Sequence, residues 1–141
     1  MRIFVTSAIA FLICTAVAIA SVTVGGLTFS VKSVSRASSV GPDLMPQKAS
    51  GEFIVIRLSL TNVGKDPATI SNTDFHLKAG DVTYDASSAG MMAGGFFLEK
   101  LNPGVSHTGN IIFDVPASTS PSKYKLVVFG NGNGESREIQ L

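Results

Sequence analysis

The run GEFIVIRLSLTNVGK at residues 51–65 decides the fold. Large aliphatic residues occupy every second position from Ile54 to Leu60, and this period of two is typical of a strand with one buried face. The run opens after Gly51 and ends at Asn62-Val63-Gly64, where the chain can turn. We therefore predict one long, half-buried strand around which the rest of the chain is organised.

A second run, NIIFDVP at residues 110–116, repeats the pattern with Ile111, Phe113 and Val115. The buried face of the first strand needs an apolar layer to cover it, and we expect this second run to supply that layer. Two such strands predict a two-layer β-protein.

Short strands and turn signals fill most of the remaining chain. Residues 27–34 predict a strand with a bulge or a switch of sheet near Ser33, because the alternation slips there. Residues 41–50 are rich in glycine, proline and small polar residues, and they predict a loop whose Leu44 and Met45 tuck against the edge of the sandwich.

The second half of the chain continues in the same way. Gly80-Asp81 and residues 130–134 predict hairpin turns, and residues 136–141 predict an edge strand. Residues 86–95 fit a short helix or a mobile loop better than a strand. With about seven short strands, the sequence predicts an all-β fold, an immunoglobulin-like antiparallel β-sandwich.

Residues 1–20 predict a secretory signal peptide. Arg2 is followed by an apolar stretch, and Ala18-Ile19-Ala20 fits the small-x-small rule for cleavage before Ser21. We therefore predict a signal peptide at 1–20 and one sandwich domain at 21–141. The alternative is an uncleaved membrane anchor, since the apolar stretch is almost long enough to span a bilayer.

The only cysteine lies inside this apolar stretch. Lipid attachment needs a small residue before the cysteine, whereas Ile13 precedes Cys14. After cleavage the domain would contain no cysteine, no disulfide and no membrane span, and we expect it to be secreted or otherwise extracytoplasmic. Lys and Arg number 11 against 10 for Asp and Glu, so no nucleic-acid partner is expected.

No catalytic or metal-binding motif stands out. Gly-x-Ser-x-Gly is absent, His76 is interpreted as a solvated strand residue, and Ser106 and His107 as surface loop residues. His76, His107 and two methionines could form a soft copper site, but no short ligand spacing fixes two of them together. We predict no enzyme activity, no cofactor and no metal.

The segment after residue 86 offers the best candidate for a contact with a partner. Its apolar residues Met91, Met92, Phe96 and Phe97 form a possible partner-contact loop. The alternative is that Phe96 and Phe97 fill the core.

Three features together resemble a known family: the predicted signal peptide, the run at 51–65, and Leu101-Asn-Pro-Gly104 followed by residues 109–116. The chain is similar to the exported bacterial immunoglobulin-like domains often called telokin-like, which are related to a secreted mycobacterial immunogenic antigen. The resemblance implies a β-sandwich and an extracytoplasmic location, and it implies no established activity.

The sequence thus predicts an exported, non-enzymatic binding module of the cell envelope with a protein partner. The alternative is an extracytoplasmic carrier of a small ligand or copper, which would use Met91 and His107 at one end of the sandwich.

Overall fold

The computed structural model describes residues 20–96, 98–117, 123–131 and 134–141, which contain ten strands and two short 3-10 helices. Two four-stranded sheets share one core, and a separate sheet has two strands. The predicted antiparallel β-sandwich is confirmed, with more strands than the seven or so expected. The strands are β1 Ser21–Val24, β2 Leu27–Val40, β3 Gln47–Asn62, β4 Ala68–Ile70, β5 His76–Ala79, β6 Val82–Asp85, β7 Glu99–Leu101, β8 Ser106–Val115, β9 Lys125–Phe129 and β10 Ser136–Gln140.

The long strand predicted from residues 51–65 is β3, and it lies inside the first sheet. The order of that sheet is β1-β2-β3-β8, so β3 has a hydrogen-bonded neighbour on each side. Every second side chain from Ile54 to Leu60 is completely buried, as the period of two predicted.

The expected role of the second run was wrong. Residues 110–116 lie largely in β8, which pairs with β3 in the same sheet and places Phe113 opposite Ile54 and Ile111 opposite Ile56. The run therefore widens the apolar face of β3 and does not cover it. Alternation shows that a strand has one buried face, but it does not show whether two such strands are neighbours or face each other.

The second sheet supplies the covering layer. Its order is β10-β9-β5-β6, and Leu77, Leu126 and Val128 are completely buried in the shared core. The Gly80-Asp81 hairpin and the edge position of β10 are confirmed. The tip of the 130–134 hairpin lies outside the described residues.

The hairpin of β2 and β3 is longer than predicted. Only residues 41–46 connect the two strands, because small polar residues are tolerated where a hairpin is exposed on both faces.

The bulge predicted near Ser33 is confirmed, since the register with β3 skips Lys32. A second irregularity, in which residues 49–52 of β3 have no partner on β2, is held by Asp114. Its carboxylate accepts backbone N–H bonds from Ser50 at 2.7 Å and Gly51 at 2.9 Å.

The predicted signal peptide, with Cys14, lies outside the described residues except for Ala20. β1 begins at Ser21, the residue after the predicted cleavage point. Within the described ranges, neither helix has the length or the apolar character to cross a bilayer.

Candidate functional site

Residues 86–95 form a fixed segment against the outer side of β8. A 3-10 helix spans Ser88–Met92 and begins at Ser87, whose hydroxyl accepts the N–H of Ala89 at 3.2 Å. The backbone N–H of Ser87 donates to the carbonyl of Ile112 at 2.7 Å. Of the two structures predicted for this segment, the short helix is the one observed.

The far end of the segment is anchored to Asn110. The backbone N–H of Asn110 donates to Gly94 at 3.0 Å, and its side-chain amide donates to the carbonyl of Ala93 at 2.9 Å. Ala89 packs with Phe53 and Ile112 in a second, smaller apolar cluster. Phe53 and Ile112 are the outward residues of their strands, so this segment covers part of the outer face of the first sheet.

Four exposed apolar residues belong to this end of the molecule. Leu44 and Met45 lie in the connection between β2 and β3, and Met91 and Met92 lie in the Ser88–Met92 helix. Their exposed fractions are 96%, 62%, 49% and 44%, respectively. We call these four residues the methionine patch. The expectation that Leu44 and Met45 tuck against the sandwich was wrong, because the hairpin carries them beyond the sheet edge.

Gly41 brings the two parts of the patch together. A Cβ atom on Gly41 would lie 3.6 Å from the Cβ of Met92 and 3.7 Å from the carbonyl oxygen of Met45. Gly41 also has a φ of 94°, a conformation that favours glycine. Residues about fifty positions apart in the sequence thus meet at one glycine.

The remaining members of the predicted contact loop lie elsewhere. Phe96 is completely buried, with its ring centroid 5.8 Å from that of Phe75 and 5.1 Å from that of His107. It is a core residue, as the alternative interpretation held, and has no exposed surface for a partner. Phe97 lies outside the described residues.

His107 is also placed differently from the prediction. It lies within β8 and not in a loop, opposite Leu60, so its side chain is on the inward side of the sheet. The Ser88–Met92 helix is on the outward side of the same strand. The structure therefore does not bring Met91 and His107 to one face, as a copper site would require.

His76 forms the one His–carboxylate pair in the described ranges. Its Nδ1 lies 3.0 Å from Oδ1 of Asp85, the residue opposite it on β6, and its ring contacts Phe129 edge-on. This resembles the base and orienting acid of a catalytic triad. No described hydroxyl is hydrogen-bonded to the imidazole.

Metal-binding geometry is likewise not found in the described part of the chain. It contains no group of three His, Cys, Asp or Glu side chains close enough to hold an ion. The four residues of the methionine patch offer apolar side chains to the surroundings.

The described residues define the chain as an antiparallel β-sandwich protein. A family model for a domain of unknown function, DUF4352, matches residues 20–137 of this chain. The chain belongs to the DUF4352 family, in agreement with the resemblance stated above. No curated protein matches the chain.

Solved structures share the fold at low sequence identity. The yjhA protein from Bacillus subtilis superposes with a TM-score of 0.64 at 18% identity, over 86% of this chain and 95% of that one. MPT63, a secreted protein from Mycobacterium tuberculosis, gives 0.56 at 20% identity, over 86% and 88%. The ycdA protein from Bacillus subtilis gives 0.61 at 18% identity, but this chain spans only 38% of that protein.

Proposed function

We propose that this protein is an exported, non-enzymatic binding module of the cell envelope, and that the methionine patch is its contact surface for a protein partner. The observation that carries the proposal is that Met92 and the backbone of Met45 both lie beside Gly41, so that two pairs of exposed apolar residues come to one end of the molecule. Grouped exposed apolar residues are typical of interaction sites, whereas scattered ones are ordinary.

Methionine suits such a surface. Its unbranched, polarizable side chain adapts to different partner shapes, and methionine is over-used at binding surfaces for that reason. Three of the four methionines of the chain lie in the patch. The secreted neighbour MPT63 supports an extracytoplasmic location.

Site-specific photo-cross-linking in the exporting host tests the proposal. A photo-reactive residue in place of Met92 should give one discrete cross-linked product, and Leu44→Asp together with Met45→Asp should abolish it. The same photo-reactive residue in place of Val105, which is 45% exposed in a turn, is the matched control and should give no product. Equal products at both positions, or a product that survives the Asp substitutions, would contradict the proposal.

Conservative variants distinguish the proposed protein contact from the alternative of a copper carrier. Leucine at positions 45 and 91 keeps the apolar surface but removes the thioether ligands that copper(I) prefers, and the photo-reactive residue at position 92 already removes the third. Under our proposal, Met45→Leu and Met91→Leu together leave the cross-link from position 92 in place. Loss of the cross-link in this variant, together with a copper(I) adduct in the mass of the unsubstituted protein, would favour the carrier.

A further inference from the structure

A small cavity lies at the end of the sandwich where β2 begins. Its volume is about 110 Å³, and its inner wall is formed by the nearly buried side chains of Leu27, Phe29, Ile70 and Phe75. Phe129, the last residue of β9, also lines the cavity and is half-buried. Most of the lining side chains are thus apolar, and three of them are aromatic.

One charged side chain lines the same cavity. Asp74 is half-buried and precedes β5, the strand that pairs with β9. Its Oδ2 atom accepts the backbone N–H of Ser71 at 2.8 Å, whereas no group in the described ranges is hydrogen-bonded to its Oδ1 atom. The lining residues include no Lys, Arg or His. The cavity therefore combines an aromatic wall with a negative charge that no cation of the lining neutralises.

The aromatic rings come from both large sheets. The rings of Phe29 and Phe75 have their centroids 6.0 Å apart and their planes at 82°, so they form two nearly perpendicular walls. Phe129 supplies a third ring from the second sheet. The faces of aromatic rings are negative, and several rings around one cation are the usual way in which proteins recognise quaternary ammonium ligands. The set of side chains in this cavity therefore suits an organic cation.

We propose that the cavity binds the quaternary ammonium group of a small ligand, with Asp74 as its counter-ion. The size of the cavity agrees with such a group. An engineered apolar cavity of about 150 Å³ holds benzene, so a cavity of about 110 Å³ suits a slightly smaller group, such as trimethylammonium.

Other kinds of ligand fit these side chains less well. A neutral apolar ligand would cover the free carboxylate oxygen of Asp74 without giving it a partner, which is costly. A primary ammonium group has three N–H donors, and the aromatic wall offers no acceptor for them. A metal ion needs several ligands, and the described part of the chain contains no group of three side chains that could hold one. A quaternary ammonium group brings the positive charge without any donor.

This inference goes beyond the proposed function, because the cavity and the methionine patch lie at opposite ends of β2. Leu27 is the first residue of β2, and Gly41 follows its last residue. At about 3.3 Å per residue, the two ends of the strand are roughly 40 Å apart. A small ligand in the cavity therefore does not contact the patch, and the two sites can be tested separately.

An NMR titration of the protein purified after export tests the inference. The probes are choline, its uncharged carbon analogue with a tert-butyl group in place of trimethylammonium, and ethanolamine, all at constant chloride concentration. Choline should shift the amide signals of residues 27–29, 74–75 and 129–130. It should bind about tenfold more tightly than the uncharged analogue, because only the charged ligand gains from the ring faces and the carboxylate.

Two variants separate the contributions of charge and ring. Asp74→Asn keeps an oxygen for the N–H of Ser71 but removes the charge, and it should weaken choline about threefold or more without affecting the uncharged analogue. Phe129→Leu keeps an apolar side chain but removes a ring, and it should weaken choline by about three- to fivefold. Asp81→Asn is the matched control, because Asp81 is an exposed aspartate in the hairpin of β5 and β6 and does not line the cavity. It should leave the affinity for choline unchanged.

Three results would overturn the proposal. They are equal affinities for choline and its uncharged analogue, an affinity for ethanolamine as high as that for choline, and no shift of the cavity amides at about 50 mM choline, well above a Kd on the order of 1 mM. Vesicles distinguish the sources of the ligand. Sedimentation with phosphatidylcholine vesicles but not with phosphatidylglycerol vesicles, lost in Asp74→Asn, would identify a lipid headgroup. Binding of choline without sedimentation would identify a free solute.

Discussion

Asn62 joins the end of β3 to the turn that follows it and to the end of β7. It is the one buried polar residue in the described ranges, and its side-chain amide donates to the carbonyls of Asp66 at 2.7 Å and Leu101 at 2.9 Å. Its side-chain oxygen accepts the N–H of Gly64 at 2.9 Å. A buried polar group is stabilising only when its hydrogen bonds are made, and here three of them are made.

We expect Asn62→Ala to lower the free energy of unfolding by about 2–4 kcal/mol, because it leaves two carbonyls and one N–H without partners. Chemical denaturation followed by fluorescence or circular dichroism measures this. Asn102→Ala is the control, since Asn102 is exposed, and a change within about 0.5 kcal/mol is expected. Equal effects of the two substitutions would show that the side-chain bonds of Asn62 do not stabilise the fold.

The sequence pattern was sufficient to predict that the side chains of Asn62 and His107 point inward. Asn62 follows Ile54, Ile56, Leu58 and Leu60 at the same spacing of two, so the alternation places it on the buried face. His107 precedes Ile111 and Phe113 with the same parity. Extending the first alternation by one step and the second by two steps, through Gly109, would have placed both side chains inward, whereas their polar character favoured a turn and a surface loop.

Segment 86–95 contains two glycines, Gly90 and Gly95, that differ in the space around them. A Cβ on Gly95 would collide with the carbonyl oxygen of Gly90. A Cβ on Gly90 would meet nothing nearer than 3.8 Å. Neither glycine has a positive φ, so the difference between them is steric.

Gly95→Ala should therefore lower the free energy of unfolding by about 1–3 kcal/mol, the usual cost of overpacking, and speed amide exchange in the Ser88–Met92 helix. Gly90→Ala should be tolerated and is the matched control. Denaturation and hydrogen exchange of both variants measure the two effects. If Gly95→Ala leaves exchange in the helix unchanged, the tight contact does not hold the segment in place.

The strands were largely predictable, and the methionine patch was not. The alternation from Ile54 to Leu60 reports on one strand at a time, so it identified β3 but gave no information on whether β8 lies beside it or opposite. The patch arises because the connection at 41–46 meets the Ser88–Met92 helix. The sequence shows no local signal for a contact between segments so far apart.

At the scale of the whole molecule, the two apolar clusters have separate roles. The large cluster lies between the sheets and contains most of the buried residues, whereas the small one, around Phe53 and Ile112, lies under segment 86–95 on the outer face of the first sheet. The methionine patch thus adjoins the minor cluster, and we expect substitutions at Met91 or Met92 to leave the main core intact. Because the patch lies apart from the main core, a loss of binding in a patch variant can be attributed to the patch and not to unfolding.

The first strand, β1, begins directly after the predicted cleavage site. Ser21 pairs with Ser30, so cleavage before Ser21 leaves the whole of β1 in place. We expect the exported protein to have the intact mass of residues 21–141 and to be found in the soluble fraction. Its unfolding midpoint should not change with a reducing agent, because the predicted cleavage would remove Cys14, the only cysteine of the sequence.

Two substitutions at the predicted cleavage site sharpen this test. Ala20→Phe places a bulky residue where the peptidase requires a small one, so the precursor should accumulate in the membrane fraction. Ile19→Leu changes the tolerant position between the two small residues and should be processed normally. A membrane-bound species that keeps Met1 in the unsubstituted protein, or carries lipid on Cys14, would contradict cleavage. The contact surface would then belong to a module tethered at the membrane, and its partners would have to lie within reach of that surface.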